Sequence, residues 1–174
     1  MIRQFSVSGK TRVIKTGRAW QTINGDGQPV ERGTGLVGWR NAMLAALGHD
    51  HPESSRVVDA LWRTNGCSLH LMDRLIKAAI LVAKDKIFLV NLNDNEVTTR
   101  VESQRHAREY YTVTWGGIPA RYRCTCPDFC NDAPFLPGFG QKMCKHALAT
   151  HLAALLGQTL PEPIPFQGEP VVYK

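Results

Sequence analysis

Two short motifs, Cys124-Thr125-Cys126 and Cys144-Lys145-His146, stand seventeen residues apart and limit what this chain can fold into more than any other feature. Three thiolates and one imidazole are a complete tetrahedral shell for Zn²⁺. In extended backbone, residues i and i+2 point the same way, so Cys124 and Cys126 can both face one ion where a strand ends. In a helix, i and i+2 lie about 200° apart, so Cys144 must precede a helix and His146 must fall in its first turn. Thiolates are favoured there by the positive end of the helix dipole. The linking residues include Pro127, Pro134, Pro137, Gly138 and Gly140, which reads as a loop carrying the chain from strand to helix. With all four positions supplied by protein, the expected ion is a single structural zinc, not a catalytic one. Two residues compete for the shell. Cys130 can replace Cys126, and His151 follows His146 by five residues but points away from it on a helix. Cys67, far off in sequence, reads as a small core residue.

The chain has five cysteines, and Met1-Ile2-Arg3-Gln4-Phe5 shows no apolar leader. No run of eighteen apolar residues occurs, so no transmembrane helix is expected. Clustered cysteines without secretion fit a reducing compartment, the cytoplasm or, in a eukaryote, the nucleus. A hydrophobic content of 43% and a charged content of 21% are those of a globular domain.

Patterning predicts an α+β chain. Residues 2–15 alternate and read as a hairpin, and residues 20–31 form a second one around Asn24-Gly25-Asp26-Gly27. A short helix is expected over 39–47, stopped by Gly48, with a loop over 49–52. A second helix, capped by Ser54 or Ser55, runs to about 64 and is broken by Asn65-Gly66. The apolar spacing over 68–83 marks a core helix. Strands follow at 87–92, 97–101, 110–115 and 120–124, then a helix over 148–156 closed by Gly157. The expected organisation is an N-terminal β/α region over 1–66, a helix, sheet and metal unit over 67–157, and a proline-rich extended tail over 158–174.

The residues Tyr122-Arg123-Cys124-Thr125-Cys126-Pro127-Asp128-Phe129 and Cys144-Lys145-His146-Ala147-Leu148-Ala149 resemble the SWIM zinc finger, with similarity over about 70–157. The resemblance implies a small antiparallel sheet leading into a ββα zinc module that binds DNA or proteins. The extra Cys130 departs from the pattern.

The formal net charge is +6, which permits an acidic partner. Arg121, Arg123, Lys142 and Lys145 all lie within three residues of an expected ligand. With Tyr122 they form the expected nucleic-acid contact, and Tyr110, Tyr111 and Trp115 are nearby aromatics able to stack on bases. A second basic patch, Arg3, Lys10, Arg12, Lys15 and Arg18, holds no acid and is edged by Phe5 and Trp20. Gly33-Thr34-Gly35-Leu36-Val37-Gly38 matches a dinucleotide-binding fingerprint in letters, but a weak strand precedes it and Asp59 falls inside a helix, so a turn before a helix explains it better. Ser8-Gly9-Lys10-Thr11 lacks the earlier glycine of a phosphate loop. His49 and His51 flank Asp50, better read as a polar loop than as a second metal site. The expectation is therefore a zinc-stabilised nucleic-acid-binding accessory protein, DNA before RNA, within a larger assembly. It is not expected to be an enzyme or to take a small-molecule substrate. The alternative is an adaptor that docks a protein through the finger, with Phe135, Leu136 and Phe139 as anchors, and through the tail.

Overall fold

The alternation near the N-terminus becomes an antiparallel meander. The computed structural model describes residues 2–6, 10–93, 95–104, 106, 108–117, 120–131 and 133–158, with backbone only for 2–6, 31–34 and 36. Strands β1 (Ile2–Ser6), β2 (Arg12–Thr16), β3 (Ala19–Ile23) and β4 (Pro29–Thr34) pair in chain order. The β3–β4 turn is set by Asn24, whose Oδ1 accepts hydrogen bonds from the backbone N–H groups of Asp26 at 3.1 Å and Gln28 at 2.8 Å. Val13 and Thr22 lie opposite each other and are fully buried. They face helix α1 (Gly35–Asp50), where Thr22 Oγ1 donates to the Ala42 carbonyl at 2.7 Å.

Helices α2 (Pro52–Thr64) and α3 (Leu69–Ala83) follow. Ser68 caps α3 by accepting from the Leu71 N–H. Leu71, Leu75, Ile76, Ala78 and Ala79 are buried to 1% exposure or less, which makes α3 the central helix. Each large side chain among them stabilises by about 1.5–3 kcal/mol. The polar stripe of α3 is also used: Arg40 Nε on α1 donates to Asp73 Oδ1 at 2.7 Å.

The second sheet is also a meander, β5 (Ile87–Leu92), β6 (Glu96–Glu102), β7 (Tyr110–Gly116) and β8 (Arg121–Cys124). Its inner face carries Ile87, Thr99, Val101, Val113, Tyr122 and Cys124, all buried. Helix α5 (Lys145–Leu155) packs between this face and α3, and Thr99 and Thr150 share a buried hydroxyl hydrogen bond of 2.9 Å. Between β8 and α5 lie the single turn α4 (Pro127–Asn131), β9 (Phe135–Leu136), a 3-10 turn (Pro137–Phe139) and β10 (Gln141–Lys142). Buried side chains from both halves of the chain join one core cluster. No described helix is long and apolar enough to cross a membrane.

Several expectations are corrected. Helix α1 starts at Gly35, whose φ of +63° turns the chain straight out of β4, and it runs through Gly48 to Asp50. Gly48 does not end the helix: a β-carbon there would make only ordinary contact, 3.5 Å from Ser55 Oγ of α2, and the helix continues to Asp50. Asp50 is therefore helical, and its carboxylate accepts from Thr11 N at 3.2 Å and Thr11 Oγ1 at 2.6 Å. Helix α2 begins at Pro52, a residue preorganised for a first helical position, so Ser54 and Ser55 are not its cap. Cys67 is exposed, not core, because Gly66 and Cys67 both adopt positive φ and turn the thiol outward. Residues 127–143 form short regular elements instead of an unbroken loop. The expected tail lies outside the described residues apart from Gln158, as do the Ser8-Gly9 turn and the side chains of Arg3 and Phe5.

Candidate metal centre

Strand parity and a helix start bring the two motifs together. Cys124 ends β8 on its inner face, and Cys126 lies directly before α4. Cys144 is the N-cap of α5, and His146 sits in its first turn. The three Sγ atoms and one imidazole nitrogen all lie within 4.8 Å of one another, and all four residues are buried. His146 Nδ1 is 4.0 Å from Cys124 Sγ and 4.0 Å from Cys144 Sγ. A tetrahedron with metal–sulfur bonds of about 2.3 Å has edges of about 3.8 Å. The group therefore has the donors and spacing to hold one metal ion.

Backbone N–H groups point at the sulfur atoms. Cys126 N donates to Cys124 Sγ at 3.5 Å, Phe129 N to Cys126 Sγ at 3.3 Å, and Ala147 N to Cys144 Sγ at 3.5 Å. Such donors stabilise thiolate over thiol. Without a cation the three sulfurs cannot all ionise. Hydrogen bonds from the Cys124 and Cys144 thiols push Cys126 down. Cys124 is pushed up, by its hydrogen bond to Cys126 first, then that to Cys144 and burial. For Cys144 the hydrogen bond with Cys124 lowers the value, but that with Cys126 and burial outweigh it, leaving the thiol pushed up to about 12. A dication inverts this order by making deprotonation favourable at every sulfur.

The surroundings hold the cluster in place. Arg74 on α3 forms a two-pronged ion pair with Asp128 on α4, Nη1 to Oδ2 and Nη2 to Oδ1, the latter at 3.0 Å. That pair fixes the turn whose Phe129 N–H serves Cys126. The Tyr111 ring lies against the His146 imidazole, with centroids 4.8 Å apart. A cleft of about 530 Å³ beside the cluster is lined by His70, Arg74, Lys77, Tyr111, Lys145 and His146 among others.

The competing ligands fall away. Cys130 is exposed on α4 and outside the group. His151 Nδ1 is 3.0 Å from the Tyr122 hydroxyl, and Phe139 meets its ring edge-on. Burial holds its pKa below the usual histidine value. His49 and His51 gather no further ligands: among the described residues no second group of His, Cys, Asp or Glu assembles at metal distance.

The expected nucleic-acid residues do not share one surface. Arg121 and Arg123 are exposed on the outer side of β8, and Lys142 is exposed on β10, opposite Phe135 of β9. Lys145 lines the cleft. Tyr122, expected to contact bases, is only 8% exposed, because the alternation that turns Arg121 and Arg123 outward turns Tyr122 under α5. Of the other aromatics, Tyr110 and Trp115 are partly open at 37% and 41%. In the N-terminal patch Lys15 Nζ sits over the Trp20 ring at 5.2 Å from its centroid. Phe135 is exposed, whereas Leu136 is buried and Phe139 half-buried. Sequence reasoning missed Arg74, whose partner Asp128 lies 54 residues away. Its only signal was an arginine on the polar stripe of an apolar helix.

Comparison with protein-family models, with curated proteins and with solved structures finds no match for this chain.

Proposed function

We propose that this chain is a zinc-stabilised nucleic-acid-binding module, an accessory part of a DNA- or RNA-processing assembly and not an enzyme. Zinc is favoured by the Cys₃His donor set, its near-tetrahedral spacing and the N–H groups aimed at sulfur. Four protein ligands close the shell and leave the ion no position for substrate, so the metal acts on structure. This is also what the resemblance of the two motifs to the SWIM finger implies.

The single observation that carries the reading is the parity of β8. Cys124 and Tyr122 face inward and Arg121 and Arg123 face outward on the same four residues. A metal that fixes Cys124 thereby fixes the pose of two exposed arginines. The test is metal analysis together with nucleic-acid binding over a range of salt. One zinc per chain is expected, with affinity that falls linearly in log salt and drops on Arg123→Glu. Zinc-free protein, or binding indifferent to salt and to Arg121 and Arg123, refutes the proposal.

Phe135 supports a second reading, a protein-docking adaptor. It is 61% exposed on β9, in the segment that links the two ligand pairs. Co-purification of a single partner, lost in Phe135→Ala with zinc content intact, would favour it over nucleic acid.

A further inference from the structure

We infer that the outer face of the second sheet is a platform for single-stranded nucleic acid, with Tyr110 stacking on bases and the arginines holding phosphates. This rests on the nucleic-acid reading above and names its ligand class and surface.

Strand pairing defines the face. Glu102 and Tyr110 are opposite each other, then Phe88, Arg100 and Thr112, then Asn91, Thr98, Thr114 and Arg123, then Glu96, Gly116 and Arg121. Not one of these residues is buried, whereas the inner face is closed by α5. Its charge is cationic: Arg100, Arg121 and Arg123 stand with Lys86 against Glu96 and Glu102, and Glu102 is already paired with Lys86 at 2.5 Å. Threonines 98, 112 and 114 add hydroxyls between the arginines. Phe88 meets Tyr110 edge-on at 5.8 Å, which holds an aromatic pair on the same surface.

A polar, threonine-rich face with arginines and a tyrosine suits neither a lipid surface nor the dry centre of a stable protein interface. It complements a strand that offers phosphates and unstacked bases together. Duplex recognition by a helix in the major groove needs an exposed basic helix. Helix α5 offers none, since His146 to Ala149, Thr150, Leu152 and Ala153 are all buried. On α2 the arginines Arg56 and Arg63 are paired within the helix to Glu53 and Asp59.

The test uses the full zinc-loaded chain and fluorescence anisotropy with one mixed-sequence 15-mer. The probe is offered as single-stranded DNA, as single-stranded RNA and as duplex DNA. Both single strands are expected to bind about tenfold or more tighter than duplex. Tyr110→Ala should weaken single-strand binding by about fivefold or more and leave duplex binding unchanged, and Tyr110→Phe should restore it. A preference between the DNA and RNA arms identifies the source of the strand. Zinc content and melting temperature are checked for each variant. Duplex bound as tightly as single strand, or Tyr110→Ala without effect while Arg123→Glu weakens binding, overturns the platform and leaves the broader reading standing. Binding to none of the three probes overturns both.

Discussion

Removing the metal should release residues 127–143 and spare the helical core. Among the described residues between β8 and α5, the large buried apolar side chains are Leu136, at 4% exposure, and Met143, fully buried. At about 1.5–3 kcal/mol each, they supply about 3–6 kcal/mol. A structural zinc contributes on the order of 10 kcal/mol, more than these two side chains together. The other anchors are the Arg74–Asp128 ion pair, half-buried Phe129 and Phe139, the hydrogen bond from Met143 N to the Pro134 carbonyl at 3.1 Å, and that from Tyr122 N to Gln141 Oε1 at 2.7 Å. Helix α5 is different. Leu148 and Leu152 are fully buried with Ala147, Ala149 and Ala153, α3 backs it, and its interior backbone groups are satisfied within the helix. Hydrogen exchange read by mass spectrometry, with zinc and after verified chelation, separates the two. Peptides within 127–143 should exchange about a hundredfold faster or more without metal, while those of α3 stay within about twofold. Cys144→Ser should behave like the chelated protein. Unchanged protection of 127–143 in verified metal-free protein would refute the clasp, and equal loss in α3 would refute the independence of the core.

Three further outcomes are expected. Gly138→Ala places a β-carbon 2.2 Å from Asn65 Oδ1, a side chain anchored through Nδ2 to the Leu61 carbonyl at 2.9 Å. It should cost about 1–3 kcal/mol, seen as a drop in melting temperature of about 2–4 °C per kcal/mol. Arg74→Leu frees Asp128 and loosens α4, so zinc affinity in a chelator competition should fall about tenfold, with most secondary structure kept. Because burial lowers the His151 pKa, the unfolded chain takes up that proton more readily. Its contribution is full above the unfolded value of about 6.5 and is lost as pH falls through the lower folded value. His151→Gln should therefore flatten the loss of stability below pH ~6.5 in urea titrations, compared with the unaltered protein at equal zinc occupancy.

The parts of the fold that were legible in the sequence are those set by local physics. The apolar spacing of Leu71, Met72, Leu75, Ile76 and Ala79 specifies α3. The run from Ile87 to Leu92 is a strand at the same bounds. The Cys-x-Cys and Cys-x-His spacings dictate a strand end and a helix start for geometric reasons that hold in any fold, and the four residues meet accordingly. What failed was set by tertiary contact. A glycine at 48 looks like a stop, but the helix continues to Asp50, whose carboxylate is held by Thr11 from far off in sequence. A lone cysteine at 67 looks like core until the positive φ of Gly66 and Cys67 turns it out. Two-residue strands such as β9 and β10 have no periodicity to read, since they exist only by pairing with each other.

The basic surface shows where local pattern stops being enough. Alternation in Arg121-Tyr122-Arg123-Cys124 says that arginines and tyrosine point oppositely, but not which side is covered. That depends on α5, which lies under β8 because Leu148 and Leu152 bury against α3 and Thr150 bonds Thr99. Once α5 occupies one side, Cys124 must face the metal cluster, Tyr122 must pack against His151, and both arginines must join Arg100 on the open side of the sheet. The same helix that closes the metal centre therefore decides which residues remain outside to meet a ligand. Loosening α5 should therefore be felt at both the Cys124 cluster and the arginine face, whereas loss of a metal should leave α5 packed on α3.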